Sequence, residues 1–336
     1  MNNIAGRLTA IVVTHERLDQ LRVTLESLLA APADLLQAVV VVDNASQDGT
    51  PAWLAAQDDP RLIVHRCDRN VGGAGGFEAG MRLVVARLDP DWIVVMDDDG
   101  RPAPGAIAAF HAAPRDARTA YAAAVRYPGG AICEMNRPGL NPFRRPAALL
   151  RALAGRGRDG YHLDPRAYDT DRLHDIDMAS FVGLFVPRAA IERCGYPQGG
   201  LFLYGDDVIY SLGLRRAGFR IAFDPGLHFQ HDCTTFAASD GKARVYRPLW
   251  KVYYTYRNGL IMYRAAAGPL FWGLLPVVAF KWRRAAARYG ADAPAYLRLL
   301  HRALRDGVAR RTDMTLAEVR ALADAPQRQK SPPSTS

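Results

Sequence analysis

Two short runs of the chain are nearly continuous in apolar, mostly β-branched residues, Leu8 to Thr14 (LTAIVVT) and Ala38 to Asp43 (AVVVVD), and Leu62 to Arg66 (LIVHR) and Trp92 to Met96 (WIVVM) continue the series. Continuous β-branched runs of this length mark strands covered on both faces, as in a parallel sheet. Between the first two, Leu18, Leu21, Leu25, Leu28 and Leu29 recur at helical spacing, so the segment reads strand, helix, strand. A glycine-rich turn, Asn70 to Gly76, and a helical stretch near Phe77 to Leu88 separate the third run from the fourth. The first 110 residues therefore predict a doubly wound α/β sheet, whose ligands bind beyond the carboxyl ends of the strands.

Past Ala120 the pattern loosens. Residues 136–175 are rich in Pro, Arg and Gly, the composition of a long loop or lid. Regular structure is expected again at Met178 to Val186 and at Leu201 to Phe223, where Asp206-Asp207 opens a helix, Gly218 ends it and Phe219 to Phe223 forms a short strand. From Tyr246 the chain reads as helical, and Gln327 to Ser336 as a disordered tail.

Composition adds little to this picture, but charge changes it. The 336 residues are 49% hydrophobic and 23% charged, ordinary globular material with ample length for a large core. The net charge of +9 is unevenly placed: residues 242–336 carry 18 Lys/Arg against 5 Asp/Glu, and the rest of the chain 25 against 29. A neutral-to-acidic body with a basic end argues against a nucleic-acid binder and for an end that meets an anionic surface. Within it, Gly268 to Phe280 is apolar and is followed by Lys281, Arg283, Arg284 and Arg288. That is too short to span a bilayer, and reads either as an interfacial anchor or as a buried helix. The four cysteines, Cys67, Cys133, Cys194 and Cys233, lie far apart and read as buried free thiols. The apolar stretch near the N-terminus is too short for a signal-peptide core, so a cytoplasmic protein is expected.

The chemistry gathers at the strand ends. Thr14-His15-Glu16-Arg17 follows the first strand, Asp43 to Gly49 the second, Asn70 to Gly76 the third and Asp97-Asp98-Asp99 the fourth. Three adjacent carboxylates after a buried strand repel one another unless a cation neutralises them. Mg²⁺ or Mn²⁺ suits such ligands and leaves positions for substrate phosphates; a solvated acidic turn is the plain alternative. Asp43 stands where an acid can bond a nucleotide's base or ribose, while Asn44, Ser46 and Asp48 suit a turn or cap equally well.

Taken together, Thr14-His-Glu-Arg17, Asp43-Asn-x-Ser46-x-Asp-Gly49-Thr50, Asn70-x-Gly-Gly-Ala-Gly-Gly-Phe77-x-x-Gly80 and Met96-Asp-Asp-Asp99 resemble the family 2 glycosyltransferases. Among these they are most similar to bacterial galactofuranosyltransferases and their rhamnosyltransferase relatives. The match is strong over about the first 110 residues and thinner to about 260. The resemblance implies a GT-A fold, with a doubly wound, mostly parallel sheet and a basic helical C-terminal extension. Residues 1–115 would be its nucleotide-sugar half, 116–240 its acceptor and catalytic half, and 241–326 the basic helical region.

It also implies roles. Asp97 and Asp99 would hold the metal, with His231 completing the site, although His228 lies close enough to compete. Asp97 and Asp98 would meet the donor, together with Thr14, Arg17, Asp43, Asn44, Asn70, Gly72 and Gly73. Asp207 matches the catalytic base, and its neighbour Asp206 stays a second candidate. Tyr254-x-Tyr256-Arg257-Asn258 matches a segment that follows the catalytic domain in these relatives. Chemically, sugar transfer needs a base for the acceptor hydroxyl and an electrophile for the departing diphosphate. One base without a second carboxylate nucleophile means single displacement and inversion of the anomeric centre.

The expectation is therefore an inverting enzyme using a UDP-sugar, with galactofuranose leading and dTDP-rhamnose as the other donor. The acceptor would be a glycan or lipid-linked glycan for cell-surface polysaccharide, met at the inner face of the membrane. A sugar nucleotidyltransferase and a non-catalytic nucleotide-sugar-binding protein are the competing classes. The first usually needs a basic glycine-rich loop near the N-terminus, which Leu8 to Arg17 does not supply.

Overall fold

The computed structural model describes residues 6–233 and 245–325, excluding the side chains of residues 155–158. The tail expected to be disordered, 327–336, lies outside the described residues. The chain divides into two compact units, Met1–Ala238 and Ser239–Ser336.

The first unit is built on nine strands: β1 (Leu8–Thr14), β2 (Ala38–Asp43), β3 (Leu62–Arg66), β4 (Trp92–Asp97), β5 (Gly100–Pro102), β6 (Thr119–Arg126), β7 (His174–Ile176), β8 (Leu184–Pro187) and β9 (Arg220–His231). They form one sheet in the order β3-β2-β1-β4-β8-β6-β9-β5, with β7 paired to β9. The first four strands are mutually parallel; β1, β2 and β4 are buried as their apolar runs predict, whereas β3, at the end of the sheet, is half-exposed. β8 runs antiparallel between β4 and β6, while β6 and β9 are again parallel. β6 escapes a reading by apolar pattern because TAYAAAVR is largely alanine, which is depleted in strands.

Among the described residues this unit also has seven α-helices: α1 (Leu18–Leu29), α2 (Thr50–Ala55), α3 (Gly72–Arg87), α4 (Ala106–His111), α5 (Pro146–Arg151), α6 (Arg188–Cys194) and α7 (Asp206–Arg216). Alternation along each strand sorts the core into two layers. Ala10, Val12, Val39 and Val41 pack with Leu21, Leu25 and Phe110 of α1 and α4. Ile11, Val13, Val40 and Val42 pack with Phe77 and Met81 of α3, and with Tyr210 and Leu214 of α7 on the same side. The parallel register sets Thr14 opposite Asp43 and Val13 opposite Asp97, so three strands deliver their last polar residues to one edge.

The stretch 136–175, expected as a lid, is mostly tied down. It contains α5, and Asn141, Ala148, Ala167 and Tyr168 are buried. Arg145 pairs with buried Asp177 at 2.6 Å, and Arg215 of α7 reaches the same carboxylate at 3.0 Å and Asp175 at 3.0 Å. Charge pairs rather than periodic apolar residues order this segment, so a hydrophobic pattern could not show it.

The second unit holds α8 (Lys251–Ala267), α9 (Phe271–Arg284), α10 (Ala293–Ala309) and α11 (Leu316–Asp324). Tyr254, Tyr256, Arg257 and Asn258 are buried in α8. The Arg257 guanidinium lies 5.1 and 5.0 Å from the ring centres of Tyr253 and Tyr254, and Tyr253 Oη donates to Asp306 Oδ2 of α10 at 2.8 Å. The tyrosine-arginine segment is thus part of this unit's core. α9 is different: Phe271 is its one buried residue among those described, while Leu270 before it and Trp272, Val277 and Phe280 along it are exposed. Of the two readings of residues 268–280, the buried helix is the one the structure does not support.

Candidate active site

Asp97 ends β4, and Asp98 and Asp99 turn the chain toward β5. Two cations face this run. Arg17, just before α1, donates to Asp99 Oδ2 at 2.8 Å and stands 3.3 Å from Asp98 Oδ1. His231, the last residue of β9, places Nε2 3.0 Å from Asp99 Oδ1, because β9 pairs antiparallel with β5 and sets His231 opposite Gly100. Thr14 Oγ1 donates to Asp98 Oδ2 at 2.8 Å, and Thr24 Oγ1 to the Asp98 carbonyl at 2.6 Å, so Asp98 is held from both sides.

Strand alternation decides between the two histidines. Three residues apart on a strand, His228 and His231 face opposite ways. His231 shares the buried side with Leu227 and Phe229, whereas His228 is exposed.

The electrostatics show a site short of positive charge. Burial, then the charge of Asp99, pushes Asp97 up to about 7. Burial pushes Asp98 up to about 6 against the pull of Arg17. Burial would raise Asp99 as well, but hydrogen bonding and charge from His231 and Arg17 hold it below the ordinary carboxylate range. His231 is the counterpart: burial alone would lower it, yet the hydrogen bond to Asp99 and nearby negative charge lift it to about 10. An imidazolium and a guanidinium thus balance carboxylates that would otherwise stand uncompensated in a buried place. Ligand atoms of Asp97, Asp99 and His231 lie within 4.8 Å of one another, and two carboxylates with one imidazole suit a hard divalent ion.

Asp206 and Asp207 open α7 behind Gly205, whose left-handed backbone (φ +79) turns the chain into the helix. Both keep a partial opening to solvent while lying deep among protein atoms. Burial is the main cause that raises Asp207 to about 6, and burial together with the Asp207 charge raises Asp206 well above the ordinary carboxylate range. Ala74 N donates to the Phe202 carbonyl at 3.2 Å, which sets the segment leading into this pair against the start of α3, and Asp97 and the pair lie near enough to raise one another by charge. Phe202 (φ +63) and Tyr204 (φ +71), just upstream, carry left-handed backbone that costs roughly 1–3 kcal/mol per non-glycine residue.

The glycine run begins α3 rather than preceding it, the helix starting at Gly72, whose own backbone is left-handed (φ +74); the low helix propensity of glycine hides this start. Asn44 accepts from Val71 N at 2.8 Å and donates to the Gly72 carbonyl at 3.0 Å, while Asn70 Oδ1 accepts from Gly72 N at 2.8 Å. Both asparagines therefore fold the loops after β2 and β3 onto each other. A Cβ on Gly72 would stand 2.0 Å from the Phe202 carbonyl oxygen; one on Gly73 would meet nothing within 4 Å. Gly72 lets α3 touch the segment that leads into Asp206 and Asp207, and Gly73 faces open space. At Asp43, Oδ1 accepts from Ser46 N at 2.9 Å, and buried Oδ2 has no hydrogen-bond donor among the described residues, Arg66 Nε standing 3.5 Å away.

Three residues near His231 carry no signal in the sequence. Asn136 Oδ1 lies 2.7 Å from His231 Nδ1, and Cys133 and Cys233 flank the same nitrogen. Roughly a hundred residues separate Cys133 from its neighbours there, so no spacing rule joins them. All four cysteines are free, Cys133 is buried, and Cys67, Cys194 and Cys233 are partly exposed.

A family model described as Glycosyl transferase family 2 matches residues 9–154. Galactofuranosyltransferase GlfT1 of Mycobacterium tuberculosis (strain ATCC 25618 / H37Rv) is 30% identical over 228 residues, 67% of this chain and 69% of that protein. Undecaprenyl-phosphate mannosyltransferase of Micrococcus luteus is 32% identical over 195 residues, 56% of this chain and 73% of that protein. Among solved structures, GalNAc-T7 with UDP, GalNAc and Mn²⁺ superimposes with a TM-score of 0.55 at 13% identity, covering 88% of this chain and 51% of that one. The chain spans about half the length of that structure, and the likeness bears on the fold: a GT-A glycosyltransferase sheet. Similarity to GlfT1 that takes in two thirds of both chains, with a family model that spans β1 to the acidic run, assigns the protein: it belongs to glycosyl transferase family 2 and is a glycosyltransferase.

Proposed function

We propose that the protein is an inverting, metal-dependent transferase that moves galactofuranose from UDP-galactofuranose to a glycan or lipid-linked acceptor in cell-surface polysaccharide synthesis. The observation that carries this reading is the meeting of the Asp97, Asp99 and His231 triad with the Asp206-Asp207 pair on one strand edge. Bound there, Mn²⁺ or Mg²⁺ would supply the electrophile for the departing diphosphate. The chain's own residues do the rest. Asp43 offers its unsatisfied oxygen to the N3–H of uracil, Gly73 leaves room for the ribose and diphosphate, and Arg17 carries positive charge toward them. Thr14 and Arg17 fix Asp98, while Asn44, Asn70 and Gly72 hold the rim in place. Asp207 takes the proton from the acceptor hydroxyl, its raised pKa suiting a base that works near neutral pH. With Asp207 acting as base on the acceptor hydroxyl, the displacement is single and inverts the anomeric carbon.

A panel of nucleotide sugars tested for protection against thermal unfolding addresses the donor. UDP-galactofuranose with Mn²⁺ is expected to stabilise by about 2.7 kcal/mol at 100 times its Kd, and to lose that effect in EDTA. Protection by dTDP-rhamnose but by no UDP-sugar would overturn the choice of donor.

We also place the second unit at the inner face of the membrane. By length and composition the helical stretch Lys251–Ala309 could cross a bilayer. α9 by itself has 14 residues, about 21 Å, short of a hydrocarbon core of ~30 Å, and Pro276 interrupts it. Exposed Trp272, Val277 and Phe280 followed by Lys281, Arg283 and Arg284 fit a helix lying in the interface, each basic residue adding about 1 kcal/mol at an anionic leaflet. The protein is expected to sediment with anionic vesicles at low salt and to be released when Lys281, Arg283, Arg284 and Arg288 are changed to Glu. A wild type that stays in the supernatant rejects the attachment.

A further inference from the structure

The side of His231 turned away from the acidic run carries a different chemistry. Its Nδ1 lies 3.2 Å from Cys233 Sγ and 3.9 Å from Cys133 Sγ, and the two sulfurs are 3.9 Å apart. These three donor atoms form a triangle whose edges can be compared with those of a tetrahedral zinc site. Zinc–sulfur bonds of 2.3 Å and zinc–nitrogen bonds near 2.0–2.1 Å place two sulfurs about 3.8 Å apart, and a sulfur and a nitrogen about 3.6 Å apart. Every edge observed is within a few tenths of an ångström of that pattern. The residues come from two places in the chain: Cys133 from the stretch after β6, and His231 and Cys233 from the end of β9 and two residues beyond it.

We propose that Cys133, Cys233 and His231 Nδ1 bind a thiophilic divalent ion of the zinc type, and that this ion antagonises the hard ion on the opposite side of the same imidazole. Two thiols and one imidazole select a soft or borderline ion, whereas the carboxylates of Asp97 and Asp99 select Mg²⁺ or Mn²⁺. Water completes the tetrahedron, and as the ion enters the two thiol protons and the Nδ1 proton of the imidazolium pass to solvent.

The antagonism follows from the ring itself. Neutral imidazole has one lone pair. Asn136 Nδ2 donates to Ser180 Oγ at 3.0 Å, which turns Asn136 Oδ1 toward His231 Nδ1 at 2.7 Å. That oxygen accepts the Nδ1 proton and leaves the Nε2 lone pair facing the acidic run, the tautomer a hard ion needs. When Nδ1 instead gives its lone pair to the thiophilic ion, the proton sits on Nε2 and is donated to Asp99 Oδ1, 3.0 Å away. The hard ion then loses its nitrogen ligand. The binding half of this proposal stands on the sulfur and nitrogen geometry alone, and the antagonism rests on the reading of His231 as a ligand of the catalytic ion.

Cobalt(II) titration of the full-length, reduced protein without other metals tests the binding half. The expected result is one cobalt per chain with tetrahedral d–d bands and thiolate-to-cobalt charge transfer, both displaced by zinc. Cys133→Ser and Cys233→Ser should each remove the charge-transfer band, and Cys233→Ser should weaken zinc at least about 100-fold, beyond the loss of a supporting group. Asp99→Asn should keep the bands. Cys233 is partly exposed, so its variant carries the test if Cys133→Ser fails to melt like wild type. Weak octahedral spectra without charge transfer, or bands that survive both cysteine variants, overturn the site. For the antagonism, zinc should inhibit sugar transfer in the presence of Mn²⁺, and the inhibition should vanish in Cys233→Ser. Thiolate bands together with undiminished transfer under saturating zinc overturn the antagonism, and an enzyme that transfers no sugar at all overturns the reading of the acidic run while the cobalt spectra still decide the site.

Discussion

Asp99→Asn is expected to lower sugar transfer by about 10³-fold and to make UDP binding indifferent to Mn²⁺, while the protein still melts cooperatively. The change keeps the shape of the side chain and removes the charge that both Arg17 and His231 address. On the proposed function it strikes the point where ion, diphosphate and counter-charge would meet, and the loss corresponds to about 4 kcal/mol of transition-state stabilisation. Single-turnover assays with and without excess EDTA check it. Full activity of the wild type in EDTA would sink the metal-dependent reading.

Asp207→Asn is expected to reduce turnover by roughly 10²–10⁴-fold with donor affinity nearly unchanged, since the base acts only as the acceptor proton moves. For the wild type, turnover should fall about tenfold per pH unit below 6, where Asp207 takes up a proton, and level off above. Asp206 and Asp207 interact, so the observed midpoint belongs to the pair. Stability should move the other way. The folded-state value of Asp207 lies above its ordinary value of 3.8, so the fold binds the proton more tightly and loses stability as pH rises through about 4 to 6. Neutral Asn escapes that penalty, and the variant should melt higher than wild type at pH 7. A variant with normal turnover, or one that melts lower, assigns the proton transfer to Asp206 or to another group.

The parallel half of the sheet was legible because β1, β2 and β4 are buried on both faces and must be apolar throughout. The acidic run, the strand-end loops and Asp206-Asp207 were legible for the same reason, polar residues standing out where such strands stop. What stayed hidden depends on contacts distant in sequence. Alanine-rich β6 gives no periodic signal, and the Arg145–Asp177–Arg215 cluster orders a stretch that reads as loop. Choosing His231 over His228 needed the phase of β9, which runs longer than its short apolar core Phe219 to Phe223. Asn136 and Cys133 meet His231 only because β6 lies beside β9.

The glycine run at the start of α3 has a consequence for how far this chain can vary. A Cβ would approach Val13 to 2.5 Å at Gly76 and Ile11 to 2.6 Å at Gly80, so these positions record how closely the helix lies on β1. Gly72 records the approach of the Phe202 carbonyl in the same way. Spelling in this run is set mostly by distances inside the protein, and its identity is inherited together with the thickness of the helix-sheet layer. Gly73 is the exception, open on its outer side. Descendants of this sequence that change donor should drift first there, keeping the other glycines fixed as the imprint of a shared skeleton.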